Sequence, residues 1–499
     1  MRCLLLLYLA MTLMSGADPL ELKIKTDNAG VSASDEFTLP LNAARSYDFT
    51  IDWGDASTSV ITSSTPDPTH HYPAIGTYTI KITENVIGGF PAIYFNYAGD
   101  RLKLLELSQW GDVTWSTMTN AFMGCSNLRI TATDEATAQT GGVTQFASAW
   151  FDCSGLTSFP LINTASGINF DSAWVNCSGL TGFPLINTTA AAELHSAWSG
   201  CSGLTSFPLI NTASVSSFTS AWADCSGLTS FPLINSSAGL FFFATWSGCS
   251  GLGSFPLINT GSGITFGSAW SGCSGLGSFP LIDTSAGTTF SSAWSGCSGL
   301  TSFPLLNTAA GTGFGSAWSG CSGLTSFPPI NTAGGLDFSV TWSGCSGLTS
   351  FPSINTAAGT TFIATWQNCS GLTTFPTLDL RNLTSAINCF YGVTLTTTSY
   401  SNLLIALAAQ NTNTGVTFHG GSSTYNAGAV TARGTLTGTH TWTITDGGLV
   451  ATGGGSSGGG SSHHHGGCGL GSGAAAGLLL SLTMVMLLSR RTGGRRQHG

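Results

Sequence analysis

Charge is what this 499-residue chain has least of. Lys, Arg, Asp and Glu together make up 7% of it, against about a quarter in an ordinary soluble domain. Cations vanish from the middle: between Phe151 and Leu380 there is no Lys or Arg. A nucleic-acid binder displaces phosphate counterions with those side chains, so this stretch excludes that class. Acids are sparse there too. Asp152, Asp171, Glu193, Asp224, Asp283, Asp337 and Asp379 are the only carboxylates, and His195 is the only His. No carboxylate pair and no Ser/His/Asp grouping clusters in sequence. The chain therefore reads as non-enzymatic, without a cofactor or a metal site. What stands in for charge is Gly, at 66 residues, with many Ser and Thr; the net charge is −9.

The two ends read as export signals. Residues 1–17 have Arg2, an apolar run from Leu4 to Leu13, and the small residues Ser15, Gly16 and Ala17 before an expected cut. That order predicts a signal peptide. At the other end, residues 451–467 are a Gly/Ser-rich linker. Its three adjacent histidines, His463 to His465, read as incidental on a flexible chain. Residues 468–499 then hold Cys468, an apolar stretch from Ala474 to Leu488, and Arg490, Arg491, Arg495 and Arg496. The stretch is short for a span of ~20 residues, and the arginines would hold it at the cytoplasmic side. The order of Cys, small residues, apolar segment and Arg cluster resembles bacterial Cys-containing C-terminal sorting signals, in which cleavage falls near the Cys. A permanent membrane anchor is the alternative. The chain is thus expected to cross the inner membrane and be displayed at the cell surface, or to stay membrane-anchored.

Between the ends, a 24-residue period runs without a slip. Trp occupies 150, 174, 198, 222, 246, 270, 294, 318, 342 and 366. Cys153, Cys177, Cys201, Cys225, Cys249, Cys273, Cys297, Cys321, Cys345 and Cys369 follow three residues behind. Trp150, Trp174, Trp198, Trp222, Trp246, Trp270, Trp294, Trp318, Trp342 and Trp366 would form one core ladder and the cysteines another. Unbroken short units predict a mainly β solenoid in which each coil buries its apolar side chains against the next. The rhythm of Leu204, Phe207 and Leu209 fits a leucine-rich repeat, with those three side chains inward; a parallel β-helix is the alternative. Pro208 lacks an amide hydrogen, so the strand there should be short or irregular. One Cys per coil suits buried thiols better than disulfides, whose side chains must face each other, or metal, which needs clustered ligands. Thr164, Thr188, Thr212, Thr260, Thr284, Thr308, Thr332 and Thr356 make a hydroxyl column broken by Ser236.

The flanks differ. Residues 18–105 contain "YDFTIDWGDAS" and "HHYPAIGTYTIKI", strand-like runs that resemble a PKD-type β-sandwich. Trp53, Tyr72 and Tyr78 would be core; Asp52 and Asp55 are candidate calcium ligands, but Asp55 reads more as a turn residue. Ala56 stands where that pattern has Gly. Cys125 and Phe390 carry the repeat motif into its ends, within a repeat region at 106–395. Residues 396–450 read as a C-terminal cap that opens with a short helix. The order of these segments, from the W-G-D module through "NAFMGCSNL" and the L-T-S-F-P-L-x-N-T units to "VTFHGGSSTYNAG" and "WTITDGG", resembles the BspA-type leucine-rich-repeat surface proteins of bacteria. That resemblance implies cell adhesion or binding to a protein or glycan partner on host, matrix or neighbouring cells through a solenoid face. Positions that vary around the fixed Trp and Cys, such as Val175-Asn176, Ala223-Asp224 and Gln367-Asn368, mark the expected binding surface. Binding of ice or an ordered polysaccharide through the Thr column is the alternative, as is a structural spacer.

Overall fold

The computed structural model describes residues 17–134 and 140–450. The expected leader up to Gly16, the linker and the tail with Cys468 lie outside the described residues. Ala17 is the first described residue and is exposed. Among the described residues the chain is β-rich and largely non-helical. It has two α-helices, α1 (Thr397–Gln410) and α2 (Val430–Gly434). Neither is long and apolar enough to cross a membrane.

The N-terminal part is an open sheet. β1 (Leu20–Lys25), β3 (Phe49–Asp52), β4 (Thr58–Ile61), β6 (Thr77–Glu84), β7 (Leu104–Gln109) and β8 (Arg129–Ile130) pair in the order β4-β3-β6-β1-β7-β8. β2 (Glu36–Thr38) and β5 (Thr69–His71) form a separate antiparallel pair. Alternation makes the strands: Leu20, Leu22 and Ile24 point into the core while Glu21, Lys23 and Lys25 stay outside. Trp53 and Tyr72 are fully buried. Tyr78 is only half-buried; it stacks on Tyr72 at 4.0 Å and donates its hydroxyl to the Ala74 carbonyl. Ala56 takes φ +69°, the left-handed region that glycine would occupy without strain. The expected boundary at residue 105 falls inside β7, which pairs with β1 on one side and, in parallel, with β8 on the other. That parallel pair joins residues 23 positions apart and begins the pattern that follows.

From Gln145 onward each 24-residue unit hydrogen-bonds to the next. Parallel bridges run from Gln145 to Asn169, Glu193, Ser217, Phe241 and onward to Ser385. The pairing continues through tight turns: the Trp174 amide donates to the Ala197 carbonyl at 2.8 Å, and Asn176 to Ser199 at 2.7 Å. Between those bonds the segment closes its own turns, as from Cys177 to the Trp174 carbonyl. The segment is a chain of turns. Left-handed residues at Ser172, Asn176 and their equivalents interrupt any helical run.

The core is three aromatic columns. Successive indoles lie 5.4–6.1 Å apart with planes within 11° of parallel. Trp174 stands between two Phe columns: it meets Phe183 edge-on at 4.9 Å and Phe170 at 6.1 Å. Phe122 and Phe390 extend the indole column at its ends. α1 closes the last unit. Thr396 caps its N-terminus by accepting from the Ser399 amide. Tyr400, Leu403, Leu404 and Leu407 are buried, and Gln410 and Asn411 donate to the Leu378 and Leu380 carbonyls.

The expected strand at Leu204, Phe207 and Leu209 is placed differently. The interunit bridges lie on the other segment except for Ser350 to Thr374, and Leu209 is 60% exposed while Ile210 is buried. The reason is local. Pro208 offers no donor, and the Ile210 amide turns back onto the Pro208 carbonyl at 3.0 Å. This three-residue turn breaks the strand alternation and swings Leu209 outward.

Candidate functional site

The two ladders singled out from sequence lie wholly in the core. All ten repeat indoles are buried, and none of their Nε1 atoms has a hydrogen-bond partner. The twelve described cysteines are unpaired and buried. Cys177 Sγ donates to the Trp150 carbonyl at 3.1 Å, and the same bond recurs through Cys369 and Trp342. Burial pushes the Cys249, Cys297 and Cys369 thiols up to about 12 and raises the others, such as Cys177, well above the ordinary thiol value. A nucleophilic or metal-binding Cys needs the thiolate. Among the described residues no group of three His, Cys, Asp or Glu side chains could hold a metal ion.

The Thr column is also internal, against the expectation of an exposed array. Thr164, Thr188, Thr212, Ser236, Thr260, Thr284, Thr308, Thr332 and Thr356 are at most 1% exposed. Each hydroxyl donates to a carbonyl of the next unit, as Thr164 does to Asn187 at 2.7 Å. Hydroxyls so used cannot match a lattice outside the molecule. The neighbouring Asn column is the turn element: Asn211 Oδ1 accepts from the Ala213 amide at 3.1 Å.

The varying positions behind each Trp have a backbone explanation. Asp152, Asn176, Asp224 and Asn368 all sit at φ between +56° and +59°, and the other units place Gly there at φ near +75°. Gly, Asn and Asp enter this region at the least cost, so the choice at this column reflects backbone geometry. Ala223 is buried.

Two surfaces remain. The first is the segment that Pro208 straightens outward. Leu161, Leu185, Leu209, Leu233, Leu257, Leu281 and Leu305 are 57–63% exposed and fall in one column. Beside it run exposed hydroxyls such as Thr205 and Ser206 on one flank and Asn211 on the other. The strip carries no Lys or Arg. Seven units at ~4.8 Å per step make it roughly 30 Å long.

The second surface lies on the bridged segment, across the core from the first. There the sequence varies most: Ile168, Asn169 and Asp171 are followed by Ala192, Glu193 and His195, then Ser216, Ser217 and Thr219, then Leu240, Phe241 and Phe243. A cleft of about 640 Å³ is lined by Gln145, Ile168, Asn169, Asp171, Ala192, Glu193 and His195. In sequence, Asp171 and His195 stand apart and form no cluster. They are one period apart, so stacking sets them side by side; Gln145, Asn169 and Glu193 are likewise successive members of one column. The period itself was the signal that unites them. Further on, Phe241 is 43% and Phe243 50% exposed.

In the N-terminal sheet, Asp55 accepts from the Ser57 amide at 3.0 Å and from Ser57 Oγ, and its Oδ2 is 2.8 Å from His70 Nε2. Burial raises its pKa, but the Ser57 and His70 hydrogen bonds outweigh that and hold it at about 2. Asp52 Oδ1 accepts from Gly54. Both carboxylates thus do turn work. No protein-family model matches this chain, and no curated protein matches it.

Proposed function

We propose that the chain is an exported repeat protein of the BspA leucine-rich kind, a solenoid behind a PKD-like module, displayed at the cell surface or anchored in the membrane. Its work is binding, without catalysis, and its partner is another protein. The observation that carries this reading is the uncovered leucine column. Monomeric soluble proteins rarely leave a contiguous apolar strip of this length in water, and an apolar centre with a polar rim is how protein interfaces are built. Here the rim is Thr, Ser and Asn. A strip without cations or fixed acids other than Asp283 suits an uncharged protein surface better than an anionic polymer. The spacer reading leaves the same leucines without a purpose.

The test replaces Leu209, Leu233 and Leu257 together with Ser in the full chain. Adhesion to a panel of immobilised matrix and cell-surface proteins is then measured. The expected result is at least a tenfold loss of binding with an unchanged urea midpoint. Full binding by the triple variant would remove the leucine column as the interface.

A further inference from the structure

Between Phe151 and Leu380 there are eight ionisable side chains other than Cys, and five of them have structural work. Asp152 accepts from Tyr97 and Asn176, and Asp224 occupies a left-handed position. Asp283 caps the Ser285 turn, Asp337 the Ser339 turn, and Asp379 pairs with Arg381. The remaining three, Asp171, Glu193 and His195, meet in the cleft. Among the described residues, neither Glu193 nor His195 has a side-chain hydrogen bond or ion pair, and Asp171 bonds only its neighbour Ser172. They lie where the otherwise regular Phe column is interrupted by Leu194. A stack that uses its charges so sparingly leaves these uncommitted at a cleft.

We infer that this cleft binds the end of a neutral oligosaccharide. The charge pattern excludes anions: two carboxylates line it, and the surrounding stretch has no cation. The hydrogen-bonding pattern points to hydroxyls. Asp171 and Glu193 accept only, while Gln145 and Asn169 each carry an amide that both donates and accepts, and His195 can do either. Asn169 Nδ2 donates to Gln145 Oε1 at 3.1 Å and Asn169 Oδ1 accepts from the Asp171 amide at 2.9 Å, which fixes the Asn169 amide; each side chain keeps a further N–H and a further lone pair. Sugar hydroxyls donate and accept in close alternation, so they use all five. Ile168, 51% exposed, offers an apolar wall for the C–H face of a ring. The volume is of the order that small-ligand sites have, ~300–1,000 Å³.

The direction of the chain follows from the same columns. Phe241 lies two units beyond Glu193, about 10 Å along the stack at the usual spacing. Its ring and that of Phe243, which lies against the face of Gly267, give exposed aromatic surfaces for a second or third sugar ring. The glycan therefore runs lengthwise from cleft to phenyl pair. This site is separate from the leucine column and does not depend on it.

The experiment screens the full chain against neutral oligosaccharides, their sialylated and sulfated counterparts, and oligolysine, followed by calorimetric titration of the best binder. Neutral glycans are expected to bind and the acidic ones to bind at least tenfold more weakly. Glu193→Gln and His195→Ala should each weaken the neutral ligand about tenfold. Phe241→Ser should weaken trisaccharides and longer chains but leave the monosaccharide unchanged. The Leu209, Leu233 and Leu257 triple variant should bind glycan normally, which separates this site from the protein-binding face. Three results would overturn the inference: preference for sulfated glycans, preference for oligolysine that Glu193→Gln abolishes, or glycan binding indifferent to both cleft variants with their folds intact.

Discussion

In the N-terminal sheet Trp53 donates its indole N–H to Ser59 Oγ at 3.0 Å and stacks on His70 at 4.8 Å. In the repeat stack Trp246 is equally buried, stacks on two other indoles, and has no acceptor. The contrast extends to the whole of both regions. The sheet settles its buried polar groups one by one: Lys103, fully buried, donates to Ser32, Ala33 and Glu36, and Asp100 beside it accepts from Val31, Ser32 and Thr38. The stack instead repeats one solution. Identical side chains sit above one another, so an apolar ladder forms with no individual pairing to specify. The sheet is thus tuned by charge and the stack by shape.

The largest break in that comparison is expected at Lys103. Lys103→Met leaves Asp100 buried without its cation and removes the donor to four oxygens of Ser32, Ala33 and Glu36. Removing one partner of a buried pair costs about 3–5 kcal/mol. Urea denaturation should show this loss in the sheet, while hydrogen exchange in the repeats stays protected, because each unit leans only on its neighbours. Loss of protection spread evenly over both regions would show that they unfold as one body.

Acid should separate them next. Asp55 titrates at about 2 in the folded chain against an ordinary 3.8. A carboxyl depressed in this way stabilises the fold above its unfolded value and loses that contribution as pH falls from about 4 toward 2. The shift amounts to roughly 2 kcal/mol. At pH 6 wild type should exceed Asp55→Asn by about that amount in urea, and the gap should close by pH 2. The repeat units have few comparable groups, and their stability should be flat over the same range. A gap that persists at pH 2 would mean the Asn variant fails by shape, not by charge.

How much of this was legible in the sequence follows the same divide. The stack announced itself by period, and with it the aromatic columns, the buried thiols and the end units at Phe122 and Phe390. What the period could not show was which way each column faces. Leu209 and Ile210 are both apolar, and a single turn at Pro208 decides which is outside. Thr164 looks like a surface hydroxyl until its bond to the next unit is seen. The cleft was hidden because its members are neighbours in space only by virtue of stacking: Asp171 and His195 need the period added to become a pair. In the sheet the reverse held. "WGD" and "GTYTIKI" marked strands, but the Lys103 and Asp100 network has no local signature, since its partners lie about 70 residues upstream.

The smallest effect tests the comparison most directly. Trp53→Phe removes a hydrogen bond that is made, worth about 0.5–1.5 kcal/mol, and trims a ring stack worth about 0.5–1.5 kcal/mol. Trp246→Phe removes a donor that is not made. Leaving such a group buried costs about 1–3 kcal/mol, so its deletion offsets much of the packing lost with the smaller ring. Phe already fills this column at both ends of the stack, at residues 122 and 390, so the column accepts its shape. Trp53→Phe should therefore destabilise by ~2 kcal/mol more than Trp246→Phe in paired urea melts. Equal costs would mean that the repeat indoles do have an acceptor, for which the π face of a T-shaped neighbour such as Phe255, 4.8 Å from Trp246 between ring centres, is the candidate. In that case the stack, like the sheet, satisfies its buried donors, and the difference between the two regions narrows to charge alone.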